Sequence, residues 1–198
     1  MISKNIFTFL NALKNNNERQ WFKENISTFR TAESEVKLFY SQLYDQLNQL
    51  DSIDNFKVFR IYRDIRFSKN KTPYKTHFSG SFHRTKPELR GGYYLHLAAN
   101  NESFIATGFW NPNKEDLIRL RKEFEIDSED LRAIIAEPRF KANWGPLMGN
   151  ELKSSPRGFA KQHPNIDFIR KKQFIFKKGY TDKEVLSDQF LQEVIYSF

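Results

Sequence analysis

The stretch RIYRDIRFSKNKTPYK, residues 60–75, sets six cations against one carboxylate. Guanidinium groups are planar forks that meet phosphate or carboxylate through paired hydrogen bonds, and ammonium groups add compact positive charge. On an extended strand, side chains two apart share a face at about 6.8 Å, which aligns Arg60, Tyr62, Asp64 and Arg66. Lys69, Lys71 and Lys75 lie in or beside the turn signal Asn70–Pro73, where they would close over a bound group. The chemistry this pattern suggests is the cradling of an anion. Asp64, placed between cations, has its charged form favoured, which makes it a poor general base near neutrality and a better orienter of arginines.

The same residues also suit a brace, with arginine and aspartate pairing with each other and with acids on nearby helices. Arg63 fits the brace better than the cradle. By alternation it falls on the apolar side between Ile61 and Ile65, where a guanidinium needs a carboxylate, backbone carbonyls or a bulge that turns it outward.

A second basic segment, residues 153–178, carries eight cations and one acid, so it and the first hold all of the net charge of +8. Its Pro156-Arg157-Gly158 offers a glycine that accepts a positive φ and an arginine, Arg157, that would join the cradle if the two segments converge. The lysine pairs at 171–172 and 177–178 serve equally to blunt a sheet edge. His77 and His96 would meet across neighbouring strands and supply a general acid or base. None of the four histidines shows a metal-ligand spacing, and P-loop, nucleophile-elbow and dinucleotide motifs are absent. No metal, cofactor or catalytic residue is assigned. Aromatics beside the basic residues, Tyr62, Tyr74, Tyr93, Tyr94, Phe109 and Trp110, could stack bases, but at strand spacing they read chiefly as core.

The elements that must position these groups follow from periodicity. Ile6, Phe9, Leu10 and Leu13, then Val36, Phe39, Tyr40, Leu43 and Leu47, recur at helical spacing. From Phe56 to Phe67 the period is two, with Phe59, Ile61, Ile65 and Phe67 on one side, which predicts a strand with a charged face. Phe78, Gly80 and Phe82 mark a second strand, Gly91-Gly92 precedes a third in YYLHLAA, and Asn100-Asn101 separates it from a fourth in SFIATGFW. Asn111-Pro112 predicts an N-cap and first helical residue, Asp127 and Asp130 a further helix start, and Pro138 that helix's end. A short helix, the strand KKQFIFKK and a final helix opened by Thr181 and Glu184 complete the chain. Helices, a meander and more helices predict an α+β fold with four to five antiparallel strands, as one domain over residues 1–198.

Twenty phenylalanines in 198 residues supply a large core, and zero cysteines fit a reducing compartment, which makes the cytoplasm the expected location. No apolar run reaches the length of a membrane span, so no membrane association is expected.

The pattern R-x-x-R-D-x-R-F-x-x-N-K-x-x-Y, carried by Arg60, Arg63, Asp64, Arg66, Phe67, Asn70, Lys71 and Tyr74, resembles the signature of the family known as domain of unknown function 2461. NNNERQWF, GGYYLHLA, GFWNP and LKSSPRGFAKQHP are similar to it as well, so the resemblance spans most of the chain. It implies membership of a bacterial and fungal group of conserved hypothetical proteins and carries no activity with it. Members run somewhat longer, so the apolar ending VIYSF leaves room for a further C-terminal piece. The resulting expectation is a ligand site of Arg60, Arg63, Asp64, Arg66, Lys71, Tyr74, Lys75 and Arg157, with His77 and His96 as acid or base candidates. Its partner would be an anionic small molecule or nucleic acid. An enzyme acting on a small phosphorylated or carboxylated substrate, and a protein-interaction module in which the motif only braces the sheet, are the alternatives.

Overall fold

Stripes of apolar residues at helical spacing become helices that bury those stripes. In a computed structural model, which describes residues 1–198, α1 (Lys4–Asn15), α2 (Arg19–Glu24) and α3 (Ile26–Leu50) open the chain. Phe29, Val36, Phe39, Tyr40, Leu43 and Leu47 form the buried face of α3, each such burial being worth about 1.5–3 kcal/mol. Asp51 ends α3 in extended conformation, its carboxylate accepting from the Ser52 backbone.

Five strands, β1 (Ile53–Val58), β2 (Phe78–Arg84), β3 (Gly92–Leu97), β4 (Ser103–Phe109) and β5 (Phe174–Tyr180), form one antiparallel meander sheet in the order β1-β2-β3-β4-β5. Its inner face carries Phe78, Phe82, Leu95, Leu97 and Ile105, all buried. Gly80 belongs to the same face because Tyr40 crosses it: a Cβ there would sit 2.5 Å from the Tyr40 ring and 2.6 Å from the Lys57 carbonyl. The tyrosine stacks on Phe82 at 5.6 Å and donates its hydroxyl to the Leu95 carbonyl at 2.7 Å.

The remaining helices are α4 (Lys114–Ile126), α5 (Glu129–Ala136), α6 (Pro138–Trp144), α7 (Ile166–Ile169), α8 (Asp182–Val185) and α9 (Phe190–Ser197). The chain divides into two compact units, residues 1–105 with 179–198, and residues 106–178. In the first unit, Phe190 of α9 stacks on Phe39 of α3 at 5.6 Å, and Tyr180 meets Phe190 edge-on. Asn100 and Asn101 both adopt positive φ in the hairpin tip, where their backbone N–H groups donate to the Asp182 carboxylate at 2.9 and 2.8 Å. The second unit has its own small core of Phe124, Phe168 and Ile169, packed by Leu120, Leu131 and Phe174. No helix is long and apolar enough to cross a membrane.

Three boundaries differ from the sequence expectation. The strand expected to run from Phe56 to Phe67 ends at Val58, because its partner β2 begins at Phe78 and leaves no strand for residues past Phe59 to pair with. The N-cap of α4 is Asn113, two residues later than Asn111, since its side chain accepts from the Asp116 N–H at 2.8 Å. Pro138 not only follows the end of α5 but opens α6, where its missing N–H costs no hydrogen bond.

Candidate functional site

Residues 59–77 leave the sheet as a necked loop. Phe59 N–H donates to the Ser79 carbonyl at 2.8 Å, Lys75 N–H to Ile61 at 2.8 Å and Arg63 N–H to Pro73 at 2.9 Å, with Tyr62 and Tyr74 bridged between. The neck is anchored on α2 and the turn before it. Phe22 stacks on Tyr74 with ring centroids 3.9 Å apart and meets Tyr62 edge-on at 5.7 Å. The Asn17 amide acts as an extra strand rung, donating to the Tyr74 carbonyl at 3.0 Å and accepting from its N–H at 3.1 Å.

Beyond the neck, side chains tie the tip to itself. Oδ1 of Asp64 accepts from the Arg66 backbone at 3.2 Å and from Nε at 3.0 Å, while Oδ2 accepts from Nη2 at 2.6 Å. These bonds from Arg66 hold the Asp64 carboxyl below its ordinary range and raise the guanidinium in return. Oδ1 of Asn70 accepts from both the N–H and the hydroxyl of Thr72, whose Oγ1 in turn accepts from Arg63. Arg63 also reaches Ser68 Oγ at 3.4 Å.

This arrangement corrects the expected polar row: Arg60, Tyr62, Asp64 and Arg66 share no strand face, and Asp64 instead folds back on Arg66. It also corrects the partner expected for Arg63, which is half-buried against two hydroxyls with no carboxylate or carbonyl. Phe67, expected on the apolar side, is 97% exposed.

Of the six cations in the loop, Arg66 alone has an acidic partner. Lys71 Nζ donates to the Ile65 carbonyl at 3.0 Å, and Lys75 Nζ to the Arg60 carbonyl at 2.9 Å while lying 5.6 Å above the Phe59 ring. No hydrogen bond or ion pair engages the Arg60 guanidinium, which is exposed. Burial, and then the Arg60 charge, lower the Lys75 pKa. The smaller, like-charge part of that shift reflects two cations, Arg60 and Lys75, held near each other, and the Arg60 charge also favours the ionised Asp64.

His77, where the loop rejoins the sheet, packs against His96 of β3 with the rings tilted by 31° and 4.1 Å between centroids. His96 stacks in turn on Phe104 at 4.5 Å, and its Nδ1 lies 3.2 Å from the Tyr94 hydroxyl. Burial, then Lys75, push the His77 imidazole down to about 4. It is therefore neutral at pH 7 and a weak base.

The structure thus brings Arg60, Arg63, Asp64, Arg66, Lys71, Tyr74 and Lys75 into one loop in the first unit, with Tyr74 buried in the neck. Arg157 belongs to the second unit, exposed in a turn where Gly158 takes φ +90°. That unit also holds a cleft of about 450 Å³ lined by Leu117, Arg121, Asn150, Leu152 and Lys172 among others. No group of three or more histidines and acids is placed to hold a metal ion. Sequence reasoning missed Asn17, Phe22 and the exposed ring of Phe67. The first two act on the loop across more than fifty residues of sequence, and only the polar run NNNER hinted at a side-chain contact there.

The model of the family described as conserved hypothetical protein (DUF2461) matches residues 5–198. No curated protein and no solved structure matches the chain.

Proposed function

We propose that this chain, which belongs to the DUF2461 family, binds a phosphate- or carboxylate-bearing ligand on the loop 60–75, with Arg60, Lys71 and Lys75 supplying the charge. The observation that carries the reading is the one carboxylate among six cations, with the other five cations left to neutral oxygens or to solvent. Carbonyl and hydroxyl acceptors fix an ammonium or guanidinium in place without cancelling its charge, so an anion arriving at the loop finds preorganised cations. A nucleotide or a nucleic acid is the ligand class whose phosphates fit such a patch.

The bonds that Arg63, Asp64 and Asn70 make inside the loop support a second role for those three residues, as braces that hold the cations in position. An enzymatic reading, with His77 or His96 moving a proton on a bound substrate, draws on their contact. It has less support, because a pKa of about 4 suits His77 poorly to proton abstraction at neutral pH.

Thermal unfolding in inorganic phosphate, against chloride at equal ionic strength, tests the proposal. A ligand that binds only the folded state raises the melting temperature, and the wild-type gain should fall by more than half in Arg60→Ala, whose side chain braces nothing. Equal melting in the two salts, or an undiminished gain in the variant, refutes the site.

A further inference from the structure

Phenylalanine is the commonest aromatic of this chain, with 20 copies, and Phe67 is the one among them whose side chain is exposed, at 97%. It touches no other ring. An apolar ring left wholly in water adds nothing to folding through burial, and it sits at the tip of a loop otherwise closed by internal hydrogen bonds. Arg66, Lys69 and Lys71 around it are exposed as well. Tyr62, the loop's other exposed aromatic at 47%, is backed by Phe22 and Tyr74.

We infer that the loop 60–75 is a single-stranded nucleic-acid binding element, in which Phe67 stacks on an unpaired base while the surrounding cations take the flanking phosphates. The inference rests on the anion site proposed above and names its partner. Rings alternating with cations match a polymer that alternates flat bases with phosphates, and stacking accepts any base because each has a π-face. A duplex fits less well. Its bases are already stacked on one another, and its major groove admits a helix or a two-stranded ribbon, neither of which this tip forms. A membrane surface also fits less well, because a single apolar ring between Arg66 and Ser68 falls short of the apolar area that stable association needs.

The test is fluorescence anisotropy of the full chain with labelled oligothymidylate of about 12 nucleotides, with the corresponding duplex, and with vesicles of phosphatidylcholine and phosphatidylserine. Binding of the single strand should weaken steeply with salt and exceed binding of the duplex. Phe67→Ala should weaken it about tenfold while melting at the wild-type temperature, and Phe67→Trp should bind with quenched indole emission. Equal affinity for duplex, an unaffected Phe67→Ala, or Phe67-dependent binding to vesicles and not to the oligonucleotide overturns the inference. If phosphate stabilises the wild type through Arg60 but the single strand fails to bind, this inference alone falls. If neither ligand has an effect, the anion site falls with it.

Discussion

Two segments hold the positive charge of this chain, and they answer it differently. In residues 153–178, Arg170 and Lys171 share Glu151 at 2.8 and 3.5 Å, and the segment's own acid, Asp167, is taken by Arg132 at 2.6 Å. An acid just outside the segment thus meets two of its eight cations. In residues 60–75 a single acid meets a single arginine, and the other cations rest on carbonyls, hydroxyls and water. The two runs look alike when charges are counted, but residues 153–178 draw an acid, Glu151, from just outside, whereas residues 60–75 have only their own Asp64.

The contrast can be broken from either side. The largest effect is expected for Phe22→Ala, which removes the ring that stacks on Tyr74 at 3.9 Å and so detaches the loop's neck. Truncating a buried phenylalanine costs about 3–5 kcal/mol, and because the contact is apolar the loss in denaturant unfolding should not shrink with added salt. A loss below about 1 kcal/mol would mean the neck stands without it.

A smaller effect concerns pH. Folding holds the His77 pKa at about 4, below the 6.5 of a free imidazole, so between those values the folded state binds fewer protons than the unfolded one. The contribution is complete above pH 6.5 and is lost as pH falls toward 4. His77→Gln should flatten the stability curve across that window by about 2 kcal/mol, after allowance for a partly exposed ring. An unchanged slope would show that Lys75 and burial leave the ring alone.

The smallest effect is expected in the other segment. Glu151→Gln removes the shared partner of Arg170 and Lys171, and because these groups are partly exposed the cost should be no more than about 1 kcal/mol. Unlike the Phe22 effect, it should fade as salt is raised. A difference that persists at high salt would place the contact among those governed by packing.

Much of this architecture was legible from residue order. The alternation of Phe78, Gly80 and Phe82 marked β2 because its two faces meet different surroundings. Asn100-Asn101 marked a tip because asparagine tolerates positive φ, and Thr181 with Glu184 form the expected capping box, although it opens only the single turn α8 and the final helix α9 begins at Phe190. The same logic failed at Phe59–Phe67. Alternation there was real, but of those residues only Ile61 is fully buried, and the Asp64 carboxylate competes for local N–H groups. The cation-rich loop was visible as composition, whereas its support was not. Asn17 reaches Tyr74 across 57 positions, and nothing in a polar NNN run names its target.

The first unit is assembled from two stretches of chain that lie far apart in sequence. Its hairpin tip at Asn100-Asn101 is latched by Asp182, which also donates its own N–H to Asn101 Oδ1 at 2.7 Å, and the Phe39 ring waits for Phe190. During synthesis, therefore, α3 and strands β1 to β3 leave the ribosome with the Phe39 ring uncovered. It stays so until the whole of the second unit has been translated and residues 179–198 arrive to cover it.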